Sequence, residues 1–167
     1  MLPETFPAYV AAAIVGYAQE NVMAGRWPEV GALERSRENF QSLLPNGLDT
    51  PDIFLFEILA VDQGPTIGFV WYAIERKHGS SGAYIYDLEI QEQYRRKGHA
   101  LRALLALELH AVATGATTIG LNVFANNLDA QALYRKLGYA PTNFNMSKPL
   151  GGAGALPQPS VEHSRRR

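Results

Sequence analysis

Cysteine is absent from all 167 residues. That excludes a disulfide scaffold, a thiol nucleophile and a cysteine-ligated zinc site, and it suits the cytoplasm. An excess of charge of either sign is missing too: 15 Lys and Arg face 16 Asp and Glu, a net charge of −1. Charge alone therefore holds neither nucleic acid nor an anionic membrane, and neither is expected as a partner. Long apolar runs are also lacking. Ala8–Ala18 is unbroken by charge, but its eleven residues fall short of the roughly 20 that span a bilayer. A secretory leader needs a basic segment before such a run; Glu4 is the only charge there and Arg26 the first basic residue. The run reads as a buried helix of a cytoplasmic protein. The four histidines, His78, His99, His110 and His163, have no metal-like spacing. They are expected at the surface, and no metal is expected.

What is present is a globular balance, 47% apolar and 19% charged, at a length for one domain. That domain is expected over residues 1–150. From Gly151 the chain turns to Gly, Ala, Pro and Ser and ends in Arg165-Arg166-Arg167. Residues 151–167 read as a disordered tail, with too few arginines to bind much.

Tyr9, Val10, Ala13, Ile14 and Tyr17 recur at helical spacing, which predicts a helix from about Pro7 to Ala24. Pro28 is placed to open a second helix, carried by Val30, Leu33, Phe40, Leu43 and Leu44 to the turn Pro45-Asn46-Gly47. Phe54 to Leu59 alternates as a strand, Asp62 to Pro65 turns it, and Thr66 to Ile74 forms a second. Lys77 to Gly82 reads as a polar loop, and Tyr84 to Ile90 as a third strand. Gly98 to Thr114 is helical, with Leu101, Leu104, Leu105, Leu109 and Val112 on one side and Gly115 as its stop. Thr117 to Val123 is a strand, Asn127 to Leu137 a helix, and Tyr139 to Leu150 extended. The order is α/β with some parallel pairing, preceded by antiparallel hairpins.

Chemistry concentrates in two stretches. Tyr94-Arg95-Arg96-Lys97-Gly98-His99-Ala100-Leu101 lies where a strand gives way to a helix. Small residues let a ligand approach the backbone, and the first helical amides point outward with the positive end of the dipole, which favours a phosphate. Alone, the stretch reads equally as a basic surface turn. It is neither a P-loop nor a dinucleotide fingerprint. The second stretch is Asn127 to Tyr139. Asn127 suits an N-cap and Asp129 the first turn. Tyr134 stands beside the Leu133–Leu137 face, where an amphipathic core residue is the plain alternative.

Arg95-x-x-Gly98-x-Ala100, then Leu121-x-Val123, then Asn127-x-x-Ala130-x-x-Leu133-Tyr134-x-x-x-Gly138-Tyr139 resembles, in order and spacing, the GNAT superfamily of acetyl-CoA-dependent N-acetyltransferases. The motif-bearing part covers roughly Ala83 to Leu150, and the likeness is strongest to a subgroup of small bacterial members. The resemblance implies an α/β (α+β) fold: a central twisted mixed β-sheet, splayed between its fourth and fifth strands and flanked by about four helices. Here those strands are Tyr84–Ile90 and Thr117–Val123. It implies acetyl-CoA as acyl donor. The pantetheine arm would pair with backbone of Leu88, Glu89 and Ile90. The pyrophosphate would lie on the cradle of Arg95, Arg96, Lys97, Gly98, His99, Ala100 and Leu101. Asn127 would touch the arm, and Tyr134 would stand near the sulfur as the catalytic residue. Family architecture places the segment between the first two helices over the acceptor, which brings Trp27 to the substrate side.

The general base departs from the family pattern. A glutamate that some members carry one residue before the Val of the later strand is Asn122 here. Earlier-strand positions that hold a carboxylate or His in others are Tyr84 and Tyr86. Asp87 and Glu89 alternate to the opposite face unless a bulge re-aims them. Water held by Tyr86 and Asn122 is the remaining relay. Glu108, among leucines, reads as a structural residue at a helix edge, and Gly79-Ser80-Ser81-Gly82 as a hairpin loop. Trp71 and Tyr72 read as core. The expected activity is direct attack of a primary amine, on a small molecule or peptide, upon the thioester, with no covalent enzyme intermediate. The rival is an acyl-CoA-binding sensor or scaffold that has lost turnover, which Asn122 favours and Tyr134 opposes.

Overall fold

The computed structural model describes residues 1–60, 64–77 and 79–146. The expected tail, His78 and His163 lie outside them. Among the described residues four strands, β1 (Ile53–Leu59), β2 (Thr66–Lys77), β3 (Ser80–Ile90) and β4 (Thr118–Leu121), form one sheet in the order β1-β2-β3-β4. β1, β2 and β3 pair antiparallel, and β3 pairs parallel with β4. Helices α1 (Phe6–Met23) and α2 (Ala32–Leu43) cover one face; α3 (His99–Ala113) and α4 (Leu128–Lys136) belong to the other. Among the described residues, no helix is long and apolar enough to cross a membrane.

Two cores sandwich the sheet. Tyr9, Phe40, Leu44, Leu55 and Trp71 fill the α1–α2 side. Val70, Tyr72, Ile74, Ala83 and Ile85 meet Leu104, Leu107 and Ala111 of α3 on the other, with Leu133, Tyr134 and Leu137 of α4 packed against them. Trp71 and Tyr72, adjacent on β2, point to opposite faces as strand alternation requires, and both are fully buried. Ser36 Oγ donates to Ile14 O at 2.7 Å and ties α2 to α1.

Several elements differ from the sequence reading. Pro28 does not open α2. The helix begins at Ala32, behind Gly31 in the left-handed region at φ +78°. The polar loop Lys77–Gly82 shrinks to a tight hairpin, because β2 runs to Lys77 and β3 starts at Ser80. On α3 the buried stripe is Leu104, Leu107 and Ala111; Leu105, Leu109 and Val112 are exposed. Leucine is so frequent in α3 that its periodicity does not single out a face. His110 is not a surface residue. It is half-buried between the rings of Phe54 (5.1 Å) and Phe56 (5.3 Å), and it contacts the Tyr72 hydroxyl. Tyr139–Met146 forms no strand and stays exposed from Pro141, a residue that removes a ladder donor; Ser147–Leu150 lies outside the described residues.

Candidate active site

The sheet opens where β3 outruns β4; among the described residues these are its third and fourth strands rather than the expected fourth and fifth. The last parallel pair is Ile85 with Leu121, so Tyr86–Ile90 has β2 on one side and, among the described residues, no strand on the other. Gln91 N–H bonds Ile67 O at 2.8 Å. In an antiparallel ladder hydrogen-bonded pairs alternate, so Glu89 and Asp87 also exchange bonds with their partners Phe69 and Trp71. Leu88 and Ile90 therefore turn their peptide groups toward the gap, and Glu89 does not. The Ile90 carbonyl is already held by Arg95 Nε at 2.8 Å. Gly68 allows the close approach of β2: a Cβ there would stand 2.1 Å from Glu89 O.

A bulge decides which side chains face which helix layer. Trp71 stands opposite Asp87 and Tyr72 opposite Ile85, so Tyr86 is an extra residue on β3. Before it, Ala83 and Ile85 face the α3 core; after it, Leu88 does. Asp87 and Glu89 are thereby re-aimed to the α1 side. Tyr86 is on that side as well, its ring stacked on Trp71 at 4.8 Å. Tyr9 OH donates to Asp87 Oδ2 at 2.8 Å. Burial holds the Asp87 carboxyl above the usual carboxylate range, with Glu89 adding to the rise and the Tyr9 bond opposing it. Glu20, on α1, is raised by burial and then by the charges of Asp87 and Glu89. Glu20 escapes sequence reading because α1 carries no motif.

The basic stretch folds into a turn and a helix start. Arg96 and Gly98 both have positive φ, +62° and +79°. The first α3 bond runs from Arg102 N–H to Gly98 O at 3.1 Å, which leaves the amides of His99, Ala100 and Leu101 without helical partners. Not every cation of the stretch faces a ligand. Lys97 Nζ donates to Gln93 O at 3.0 Å, and His99 Nδ1 contacts Arg102 Nη2 at 2.9 Å. Arg96 reaches Asp129 of α4 at 3.1 Å, both side chains largely exposed.

Across the gap, Asn127 caps α4 by accepting from Ala130 N–H at 3.1 Å. Tyr134 is half-buried, its ring 5.5 Å from Tyr139. Burial, then the charge of Asp87, raises the Tyr134 hydroxyl above the usual phenol range. Tyr134 packs against the α3-side core, whereas Asp87 faces Tyr9 of α1. Asn122 lies one residue past β4 and is exposed, and Trp27 packs edge-on against Tyr17 at 5.4 Å. Glu108 is half-buried and its charge faces Tyr139, as a helix-edge structural residue would. A cavity of about 270 Å³ opens between the end of α1 and the β4–α4 loop, lined by Glu20, Met23, Phe124, Asn126 and Asn127. Among the described residues, no group of three or more His, Asp or Glu is placed to hold a metal ion.

Comparison with known proteins supports this architecture. The profile of the acetyltransferase (GNAT) family matches residues 14–139. The uncharacterised N-acetyltransferase YdgE of Bacillus subtilis (strain 168) is 36% identical over 150 residues, 90% of this chain and 95% of that protein. YycN of the same organism, also an uncharacterised N-acetyltransferase, is 38% identical over 90% of this chain and 96% of its own. The crystal structure of YycN superposes with a TM-score of 0.85, covering 91% of this chain and 96% of that one. With a GNAT sheet, helix order and sequence together, the chain belongs to the GNAT family of acetyltransferases and is an acyltransferase.

Proposed function

We propose that this protein transfers an acetyl group from acetyl-CoA to a primary amine by direct attack on the thioester. The observation that carries the reading is the parting of β3 and β4 beyond Ile85 and Leu121, with free helix amides at one end and Tyr134 beside it. The diphosphate lies on the amides of Arg96 to Leu101, favoured by the helix dipole. The arm follows the β3 edge, pairing with Leu88 and the Ile90 N–H. Arg95 acts by positioning, since its side chain holds Ile90 O. Asn127 keeps its side-chain NH₂ for the arm while its oxygen caps α4.

A lysine-like amine with pKa near 10.4 is neutral in roughly one molecule per thousand at physiological pH, a cost of about 4 kcal/mol. Desolvation of the amine in its pocket or a proton relay through water offsets it. The thioester oxygen gathers negative charge as the amine attacks, and an edge-facing amide of β3 is placed to receive it. Tyr134 donates a hydrogen bond to the departing sulfur.

The test is thermal. CoA and acetyl-CoA should raise the melting temperature by binding the folded state alone. Gly98→Glu should abolish that rise, because it adds charge and bulk at φ +79°, where a Cβ already meets Arg102 Nη1 at 3.3 Å. Circular dichroism verifies that the variant is folded. A full shift in the folded variant would put the diphosphate elsewhere. Thiol release with a panel of amines then tests transfer; CoA binding without transfer to any amine would favour the sensor.

A further inference from the structure

A second cavity opens between α3 and β1, the outer strand of the sheet. Its volume is about 390 Å³, within the roughly 300–1,000 Å³ of small-ligand pockets. Its walls come from β1, β2 and α3; among the described residues, β3, β4 and α4, which border the gap, contribute nothing to it. Along α3 the lining residues His99, Arg102, Ala103, Ala106, Leu107 and His110 recur at helical spacing on one face. Ala103 and Ala106 leave the space open in a helix that otherwise carries leucine at Leu101, Leu104, Leu105 and Leu109.

The floor is apolar. Phe56 and Ile58 of β1 meet it beside Val70 of β2 and Leu107 of α3, the last two buried. Glu57 is on the wall too, but strand alternation turns its side chain to the other sheet face. There its oxygens accept from Leu2 N–H at 3.0 Å and from the Thr66 hydroxyl at 2.7 Å, so its charge is engaged outside the cavity. His110 closes one end, its ring edge-on to Phe56 at 5.3 Å and its Nδ1 against the Tyr72 hydroxyl.

The other end carries a cation. Arg102 Nη2 donates to His99 Nδ1 at 2.9 Å, and Nη1 to Lys97 O at 3.4 Å. Neither acceptor is a carboxylate, and among the described residues Arg102 is in no ion pair. The guanidinium is held in place with its charge unmatched and with donors to spare. About 12 Å of helix rise separates Arg102 from His110.

An occupant that suits both ends has an apolar body over the floor and one negative charge at the mouth. A cationic head would meet Arg102 with like sign, and a wholly apolar body would leave it unmatched. We propose that this cavity binds an amphipathic monocarboxylate, its carboxylate on Arg102 and its chain lying over Phe56, Ile58, Val70 and Leu107 toward His110.

Octanoate, octanol and octylamine, matched in chain length, test this by titration calorimetry on the full chain at neutral pH. The measurement needs no acyl donor, so it succeeds or fails apart from the acetyl-transfer reading. Octanoate should bind one per chain and at least tenfold tighter than octanol, with octylamine weakest. Arg102→Gln should weaken octanoate at least tenfold and leave octanol within twofold. Ala106→Phe, at an exposed helix position, should abolish binding of both by filling the space, with circular dichroism showing the chain folded. Saturating CoA should leave octanoate affinity within threefold, because the acid does not enter the gap. Displacement by CoA would assign Arg102 to a phosphate of that molecule and overturn the proposal. Equal affinity for octanoate and octanol, octanoate binding unchanged in Arg102→Gln or in folded Ala106→Phe, or no saturable binding would overturn it as well. Should Ala106→Phe fail to fold, the Arg102→Gln comparison decides.

Discussion

A phenol beside a thiolate faces an unfavourable proton transfer. A CoA thiol resembles a cysteine side chain with pKa near 8.5 and a phenol lies near 10, a gap worth roughly 2 kcal/mol. Burial and Asp87 widen that gap at Tyr134, so the role proposed for Tyr134 is that of a hydrogen-bond donor rather than a full acid. Tyr134→Phe should therefore lower turnover at least tenfold, near the low end of the roughly 10²- to 10⁴-fold typical of acid assistance. CoA affinity should stay within a few-fold, as titration calorimetry would show; normal turnover would reduce the hydroxyl to a rim contact. Tyr134, Asn127 and Gly98 are legible in the sequence because each sits in a contiguous motif whose spacing follows from one helix end. Glu20 is not, because its meaning depends on residues more than sixty positions away. Asp87 is legible only conditionally, since one extra residue in β3 reverses the face it occupies.

That extra residue shows where element-level reading stops. Periodicity finds the strands and helices, because amphipathic burial imposes it. It does not find the bulge at Tyr86, which leaves composition unchanged and alters only register. Nor does it find where α2 begins, since Gly31 in the left-handed region overrides the helix-opening preference of Pro28. Gly68 is a further register device, and it yields a sharp expectation. Gly68→Ala would drive a Cβ to 2.1 Å from Glu89 O, so β2 and β3 must shift apart at the edge proposed for the arm. Overpacking of this kind costs about 1–3 kcal/mol. Denaturant melts should show that loss, and CoA affinity should fall at least tenfold. Unchanged affinity would separate the β3 edge from cofactor binding.

At the scale of the molecule, two carboxyl groups held above their ordinary range set a pH dependence. Asp87 and Glu20 both hold protons to higher pH when folded than when unfolded. The native state therefore binds more protons, and stability falls as pH rises from the ordinary carboxylate range through the raised pKa of each. Asp87→Asn keeps an oxygen for Tyr9 and removes the buried charge, so it should melt higher than the parent at neutral pH and show a flatter profile between about pH 4 and 8. Equal slopes in parent and variant would place the charge penalty elsewhere. The parted strands carry one more consequence. An edge inside a molecule is still an edge, and unpaired peptide groups template association wherever they lie. Any extended chain with the right alternation of donors and acceptors, a peptide included, is a competitor for the slot. Acyl donor would then act as a guard against self-association, and Arg95, by covering the Ile90 carbonyl, as a permanent plug on part of that edge. Arg95→Ala should scatter light at a lower temperature than the parent without ligand, and CoA should erase the difference.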